Sequence, residues 1–210
     1  MKYIVLCGGV YPTITPKQLW KIHGEPIVKR TIRLLSECGI EDISISSRDE
    51  RFEGLGVPVI KHKNDYQYGN EQSYWLDAFP IFETPVCYIF GDVVFSRNAI
   101  EQIVNHETDS IQFYASGKPF AENYIKPWGE PFAYKVIDTE KFVRCINQAK
   151  QWQDEGKFNR MPVSWELWQV IQGTPINKII QDYYVISDYT CDVDNEQDLR
   201  NIEIVVPKED

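Results

Sequence analysis

The sequence predicts an α/β protein of three layers, in which helices cover both faces of a mostly parallel, mixed central sheet. Short apolar runs rich in β-forming residues alternate with stretches of helical period, a rhythm typical of parallel sheets. One run, Val86–Phe90, is continuously apolar between Pro85 and Gly91, as expected of a strand covered on both faces. Hydrophobic residues make up 43% and charged residues 25% of the 210 residues, which are ordinary values for a globular protein.

The N-terminal half supplies the clearest elements. A strand is expected over residues 3–7, and it ends at Gly8-Gly9. A helix should follow from Pro26, which suits a first turn, to Gly39, which suits a helix end, because apolar residues recur between them at helical spacing. The other elements predicted here are strands over 43–46 and 57–60, a helix over 73–82 and the strand 86–90.

The C-terminal half is more mixed, and its predicted strands and helices no longer alternate regularly. The apolar patterns predict strands over 110–115, 133–137 and 183–186, and helices over 139–153, 165–171 and 195–202. An aromatic, turn-rich segment lies between the first two of these strands, over residues 119–131. We find no internal repeat and no linker, so we predict a single domain over residues 1–210.

Charge and cysteine usage limit the partners and the compartment. The chain carries 22 basic and 31 acidic residues, a net charge of −9, so nucleic acid and anionic membranes are poor default partners. No run approaches the ~18 apolar residues of a membrane span. The five cysteines are scattered and form no CxxC pair, which indicates reduced thiols of a cytoplasmic protein.

A glycine pair after the first strand and a lysine a few residues later predict a phosphate-binding loop. Gly8 and Gly9 let backbone amides approach a phosphate, and Lys17 adds a charge to a polyphosphate. The spacing matches neither a P-loop nor a dinucleotide fingerprint. An ordinary strand-to-loop turn with an exposed lysine explains the same residues equally well.

Asp92 follows the buried strand 86–90, where ligands of open α/β sheets bind. A carboxylate at this place suits Mg²⁺, a hard cation that takes oxygen ligands. The alternative is a turn aspartate that caps the next element.

The late segment Asp192-Val193-Asp194 places two carboxylates on the same side of an extended chain. Carboxylates held together repel each other unless a cation lies between them, so this segment also predicts a metal site. A structural alternative is that Asp194 or Asn195 caps the helix that follows. A polar loop, Gly69-Asn70-Glu71-Gln72-Ser73, could contact a base edge or simply begin a helix.

Together these motifs resemble the nucleotidyltransferase superfamily of glycosyltransferase-A-like fold, over residues 1 to about 202. Its members include sugar-phosphate nucleotidyltransferases, methylerythritol cytidylyltransferases and CMP-sugar synthetases. The most specific parts of the resemblance are Pro16-Lys17-Gln18-Leu19, Gly24-Glu25-Pro26-Ile27 and the late acidic segment.

The resemblance implies a Mg²⁺-dependent reaction in which a phosphorylated acceptor attacks the α-phosphorus of a nucleoside triphosphate and pyrophosphate leaves. It implies Lys17, Asp92 and Asp194 as catalytic residues, with Mg²⁺ held by Asp92, Asp194 and Asp192. The nucleotide-binding residues it implies are Cys7, Gly8, Gly9, Lys17, Gly69, Asn70 and Ser73. CTP is the nucleotide that we expect. The product would be a building block for polysaccharide or lipid synthesis. A homodimer is one assembly that we consider for the protein.

The resemblance also implies that residues 116–180 contribute an acceptor-binding lobe. The acceptor-binding residues expected there are Lys126, Trp128, Glu130 and Glu166, with Trp165 as a further stacking surface. Core aromatics and a surface lysine are an equally good interpretation of these residues.

One departure from the family concerns the first loop. Residues 10–15 contain neither the second glycine nor the arginine that relatives carry there, and Lys21, Lys29 or Arg30 would have to replace the missing cation. This departure keeps open the hypothesis of a non-catalytic nucleotide-binding relative. A further hypothesis is a glycosyltransferase that uses Asp192-Val193-Asp194 as its metal motif on a nucleotide sugar.

Overall fold

A computed structural model of the chain describes residues 1–8, 14–62, 74–117, 129–173 and 182–208. Within these ranges the helices are α1 (Ile27–Glu37), α2 (Arg97–Asn105), α3 (Thr139–Asp154), α4 (Ser164–Gln172) and α5 (Glu196–Val205). The strands are β1 (Lys2–Leu6), β2 (Lys21–Ile22), β3 (Glu25–Pro26), β4 (Ile43–Ser46), β5 (Val59–Ile60), β6 (Val86–Phe90), β7 (Val93–Val94), β8 (Ile111–Ser116), β9 (Pro131–Val136), β10 (Tyr184–Ile186) and β11 (Cys191–Asp192). Short 3₁₀ turns cover Lys17–Leu19, Glu50–Phe52 and Trp75–Ala78.

The central sheet has seven strands in the order β10-β8-β9-β6-β1-β4-β5. β1 pairs in parallel with β4 and β6, β4 with β5, and β8 with β10. Only β9 runs against its neighbours, β6 and β8. The predicted mostly parallel, mixed sheet is therefore confirmed.

Two neighbouring residues of β9 show that helices cover both faces of this sheet. The ring centroid of Tyr134 lies 5.8 Å from that of Phe142 in α3 and 6.4 Å from that of Trp168 in α4. The Nζ atom of Lys135 donates to the carbonyl oxygen of Ile103 in α2 at 3.1 Å. Because successive side chains of a strand point to opposite faces, α3 and α4 lie on one face and α2 on the other.

The strands at the centre of the sheet are buried on both faces, which explains their continuous apolar sequences. Consecutive residues of β1, such as Ile4 and Val5, are buried, as are Tyr88 and Ile89 of β6. Parallel strands covered by helices on both sides need no polar alternation. The sheet is thus a rigid base for the residues that follow its strands.

The helix predicted over residues 73–82 is wrong in the part that the structure describes. Only the 3₁₀ turn Trp75–Ala78 forms there. Pro80 accounts for this: a proline ring in a helix clashes with the carbonyl four residues earlier, here that of Leu76, and Pro80 also restricts the backbone of Phe79. Because too few residues precede Pro80, the amphipathic pattern forms a single turn and not a helix.

Helix α2 was missed by the sequence analysis, although its N-terminus carries a signal. The side chain of Ser96 accepts a hydrogen bond from the backbone N–H of Ala99 at 2.9 Å, which is a standard serine cap. The other predicted helices form with shifts of a few residues at their ends, while the strand expected over 57–60 is reduced to β5. No helix in the described ranges is both long and apolar enough to cross a membrane.

Candidate active site

The candidate site lies at the carboxyl edge of the parallel strands, beyond β1 and β6. Gly91 is the first residue outside β6, and its N–H donates to the carbonyl oxygen of Leu6 at 3.0 Å. A Cβ atom added to Gly91 would lie only 2.6 Å from that oxygen and 2.7 Å from the Sγ atom of Cys7. The close approach of the segments that follow β1 and β6 therefore requires glycine at position 91, and it fixes where Asp92 leaves the sheet.

A small antiparallel ribbon carries the late acidic segment to Asp92. β7 pairs with β11, so that Asp192 stands opposite Val93. The N–H of Val193 then donates to the carbonyl oxygen of Asp92 at 3.0 Å. Main-chain hydrogen bonds thus hold Asp192 and Asp194 beside the end of β6.

Of the two residues that could cap α5, Asn195 is the cap. Its side-chain oxygen accepts the N–H groups of Gln197 at 2.9 Å and Asp198 at 3.0 Å. The backbone N–H of Asp194 donates to Oδ2 of Asp198 at 2.9 Å, which fixes the start of the helix from the other side. The carboxylate of Asp194 is therefore not needed as a cap, and it extends toward Lys17.

Lys17 connects the two acidic segments. Its Nζ atom lies 3.0 Å from Oδ2 of Asp92 and 3.0 Å from Oδ1 of Asp194. Burial alone would lower the pKa of the Lys17 ammonium, but the two carboxylates outweigh it, so that the pKa is raised and the side chain carries a full charge at neutral pH. Three residues that are far apart in sequence thus meet in one place.

A second acidic group adjoins this one. One carboxylate oxygen each of Glu130, Asp192 and Asp194 lies within 4.8 Å of the others, and Glu130 and Asp192 are buried. Glu130 is held by its backbone: its N–H donates to Oγ of Ser116 at 2.8 Å, and its carbonyl accepts the N–H of Ser116 at 2.9 Å. An all-oxygen set of carboxylates fits the ligand preference of Mg²⁺.

These residues border a cavity of about 620 Å³, which is within the range of small-molecule sites. Its lining has a charged part with Lys17, Asp92, Asp194 and Glu196. The rest is largely apolar or uncharged, and consists of Leu6, Gly8, Ile14, Thr15, Pro16, Gln18, Trp20, Trp75, Ala78, Phe90 and Asn195. Among the described residues of this lining, Lys17 is the one cation, and three residues are carboxylates.

The other predicted nucleotide-binding residues differ in where they lie relative to the cavity. Gly8 lines the cavity, whereas Cys7 is fully buried beneath it, and burial, aided by the charge of Asp92, raises the pKa of its thiol. The predictions for Gly9, Gly69, Asn70, Ser73, Lys126 and Trp128 fall outside the described residues.

Two residues expected on the acceptor side, Glu166 and Trp165, have structural partners within the protein. Glu166 closes the start of α4: its Oε2 atom accepts the N–H of Val163 at 3.1 Å, and its Oε1 atom accepts from Nε of Arg160 at 2.7 Å. Trp165 packs edge-on against Phe113, with ring centroids 5.1 Å apart. Both have structural partners that fit the simpler interpretation of these residues.

The three cations considered as substitutes for the missing loop arginine are not part of the described cavity lining. Lys21 and Lys29 are exposed, and Lys21 borders a separate groove beside α5. Arg30 is buried, with its Nη2 atom 3.4 Å from the hydroxyl of Tyr189. Lys17 therefore has no cationic companion from this set.

Sequence analysis did not find the aromatic part of the cavity. Trp20, Trp75 and Phe90 all contribute to the lining. Trp75 follows two residues after Ser73, the end of the polar loop predicted to contact a base edge, so its position in sequence is a usable signal. The sequence predicts Phe90 only as part of the buried strand over residues 86–90.

The chain is similar in structure to solved nucleotidyltransferases. A chain from Bacillus anthracis assigned as a glucose-1-phosphate thymidylyltransferase aligns with a TM-score of 0.59 and 16% identity, over 97% of this chain and 94% of that one. The CTP:phosphocholine cytidylyltransferase of Streptococcus pneumoniae aligns with a TM-score of 0.54 and 18% identity, over 97% and 98%. No family model and no curated protein matches the sequence. The chain therefore has a nucleotidyltransferase-like fold.

Proposed function

We propose that this protein is a Mg²⁺-dependent nucleotidyltransferase that transfers a nucleoside monophosphate from a nucleoside triphosphate to a phosphorylated small molecule. The observation that carries the proposal is the meeting of Lys17 with Asp92 and Asp194, each at 3.0 Å, in a cavity at the carboxyl edge of the parallel strands. The similarity of the fold to solved nucleotidyltransferases supports the same type of reaction.

The charges of the cavity support a metal-dependent reaction. A triphosphate carries several negative charges, and it would enter a lining in which three carboxylates outnumber one lysine. The mutual repulsion would oppose binding unless further cations were present. Asp92 and Asp194 would hold Mg²⁺, with Asp192 and Glu130 adjacent. When bound, the ion would neutralise phosphate oxygens and bring them toward the carboxylates.

The reaction itself requires alignment more than covalent participation by the protein. An oxygen of the acceptor phosphate forms a bond to the α-phosphorus, and the bond from that phosphorus to the oxygen bridging to the β-phosphorus breaks. The electron pair of the broken bond leaves with pyrophosphate. Lys17 would place its positive charge against the triphosphate oxygens, where negative charge increases on the leaving group.

The finer assignments belong to the same proposal. We infer CTP as the nucleotide, because the compact length and the sequence Pro-Lys-Gln-Leu resemble cytidylyltransferases and one structural neighbour is a cytidylyltransferase. We assign residues 116–180 to the acceptor side, and the product to polysaccharide or lipid building. Five free cysteines fit a reducing compartment such as the cytoplasm.

The test is the release of pyrophosphate from each of the four nucleoside triphosphates, with Mg²⁺ and a panel of phosphorylated acceptors. The wild type should release pyrophosphate with at least one pair, and Asp92→Asn should reduce the rate by at least about 100-fold, because it removes a metal-holding charge. Asp42→Asn is the matched control. Asp42 is exposed and its carboxylate pairs with Lys2, at the amino end of the sheet, so that this variant should keep full activity.

Three outcomes would contradict the proposal. Full activity of Asp92→Asn would show that Asp92 is not needed to hold Mg²⁺. Binding of a nucleotide sugar without binding of any triphosphate would indicate a glycosyltransferase. Binding of triphosphates without turnover over the whole acceptor panel would indicate a non-catalytic nucleotide-binding protein.

A further inference from the structure

Trp75 is held in a fixed orientation before any ligand binds. Its ring lies nearly parallel to that of Phe90, with centroids 5.8 Å apart and an angle of 29° between the planes. Phe79 meets the same indole edge-on, at 5.7 Å and 70°. Phe90 and Phe79 are themselves buried in the core. The indole is therefore packed between two core aromatic rings, one stacked and one T-shaped, and Trp75 also contributes to the cavity lining.

The supported indole and the charged part of the cavity are close together along β6. Phe90 is the last residue of β6, and Asp92 follows two residues later, just beyond the hydrogen bond from the Gly91 N–H to the carbonyl oxygen of Leu6. Leu6 and Ala78 complete the apolar lining next to Phe90. The cavity thus has an aromatic part that continues directly into a part with a lysine and carboxylates.

A nucleotide combines the same two chemistries, because it joins a planar aromatic base to a charged phosphate chain through one sugar. We propose that the Trp75 indole, supported by Phe90, is the stacking surface for the base of the nucleoside triphosphate. This inference rests on the proposed function and adds to it a binding residue that the family resemblance did not imply.

Stacking on an indole predicts how the affinity depends on the base. Every base has a π-face, so a stacking surface strengthens binding of all bases and does not choose among them. Selection of CTP would then depend on groups other than Trp75. A supported indole also loses little conformational freedom on binding, which favours its use as a rigid contact.

The experiment measures dissociation constants by calorimetry, with Mg²⁺, for CTP, ATP and inorganic tripolyphosphate, which keeps the phosphate chain and lacks the base. Trp75→Leu should weaken binding of CTP and ATP by similar factors, about 5- to 150-fold, the range of base–aromatic stacking. Tripolyphosphate should bind the variant as it binds the wild type. Trp75→Phe keeps an aromatic ring on Phe90 and should recover most of the affinity.

Trp152→Leu is the matched control. Trp152 is also partly buried and packs against Phe158, with centroids 6.3 Å apart, but it is not part of the described cavity lining. This variant should bind all three ligands normally. Unchanged CTP and ATP affinities in Trp75→Leu would overturn the inference, as would an equal loss of tripolyphosphate binding in both Trp75 variants. A wild type that binds none of the nucleotides would instead overturn the proposed function.

Discussion

The residue on which the site depends most is Lys17, because its ammonium group contacts both carboxylates that we assign to the metal. Asp92 and Asp194 belong to different elements, and Lys17 bridges them with two distances of 3.0 Å. The three side chains are between about a third and a half exposed, so solvent screens each pair and limits its contribution to stability. In the proposed function these contacts would matter mainly for ligand binding, since the same oxygens would face the metal.

Lys17→Met should raise the affinity for Mn²⁺ in the absence of nucleotide, by about 3- to 10-fold. In the proposed site the ammonium and the metal would compete for the same carboxylates, and methionine keeps the length of the side chain without its charge. The same substitution should weaken binding of CTP, because the phosphates lose a cation. Titration of Mn²⁺ followed by electron paramagnetic resonance measures the first effect.

Lys21→Met serves as the control for Lys17→Met, because Lys21 is an exposed cation nearby that is outside the described cavity lining. It should change neither the Mn²⁺ nor the CTP affinity. A Lys17→Met variant with unchanged or weaker Mn²⁺ binding would show that the lysine does not compete with the metal.

At the scale of elements, local sequence patterns predicted most of the strands and helices, and the failures have identifiable causes. Apolar spacing around Trp75–Ala78 predicts a longer helix than the single turn that forms, because the spacing continues past Pro80, which a helix does not accommodate. Helix α2 was missed because its apolar stripe is short, although Ser96 marks its start. Strand β5 is shorter than its apolar run because it forms hydrogen bonds only with β4, at the edge of the sheet.

One interaction between elements was beyond the reach of sequence patterns. Lys135 sits in β9, yet its buried ammonium donates to the carbonyl oxygens of Ile103 at 3.1 Å, Val104 at 3.0 Å and His106 at 2.6 Å. These carbonyls lie at the C-terminal end of α2. An ammonium group there donates hydrogen bonds to the last carbonyls and interacts favourably with the negative end of the helix dipole. Burial lowers the pKa of Lys135, and these three hydrogen bonds offset the cost of the buried charge.

Lys135→Met should lower the stability of the fold by about 2 kcal/mol, because it removes a buried charged donor from three carbonyls. For a chain of this size the melting temperature would fall by roughly 4–8 °C. Differential scanning calorimetry measures the melting temperature. Lys29→Met is the control: Lys29 is exposed, so this variant should have the melting temperature of the wild type. An equal melting temperature for both variants would mean that Lys135 does not cap α2.

At the scale of the whole molecule, the sequence indicated which residues could form the site but not how they are arranged. The family resemblance that the order of the motifs carries implies a common site for Lys17, Asp92 and Asp194. Their contact depends on the β7–β11 ribbon, whose two-residue strands give no periodic signal. The proximity of Glu130 to Asp192 depends on how β9 begins beside Ser116. Such placements follow from the topology of the sheet and not from local spacing.

The central claim is that Asp92 and Asp194 form a metal site that serves a bound nucleotide. The most direct measurement is the dissociation constant of CTP with and without Mg²⁺, for the wild type and for Asp194→Asn. We expect Mg²⁺ to strengthen CTP binding of the wild type by at least about tenfold, and most of this gain to be lost in Asp194→Asn, because the variant removes one charge that holds the ion. Equal CTP affinity of the wild type with and without Mg²⁺, or a full Mg²⁺ effect in Asp194→Asn, would contradict the account.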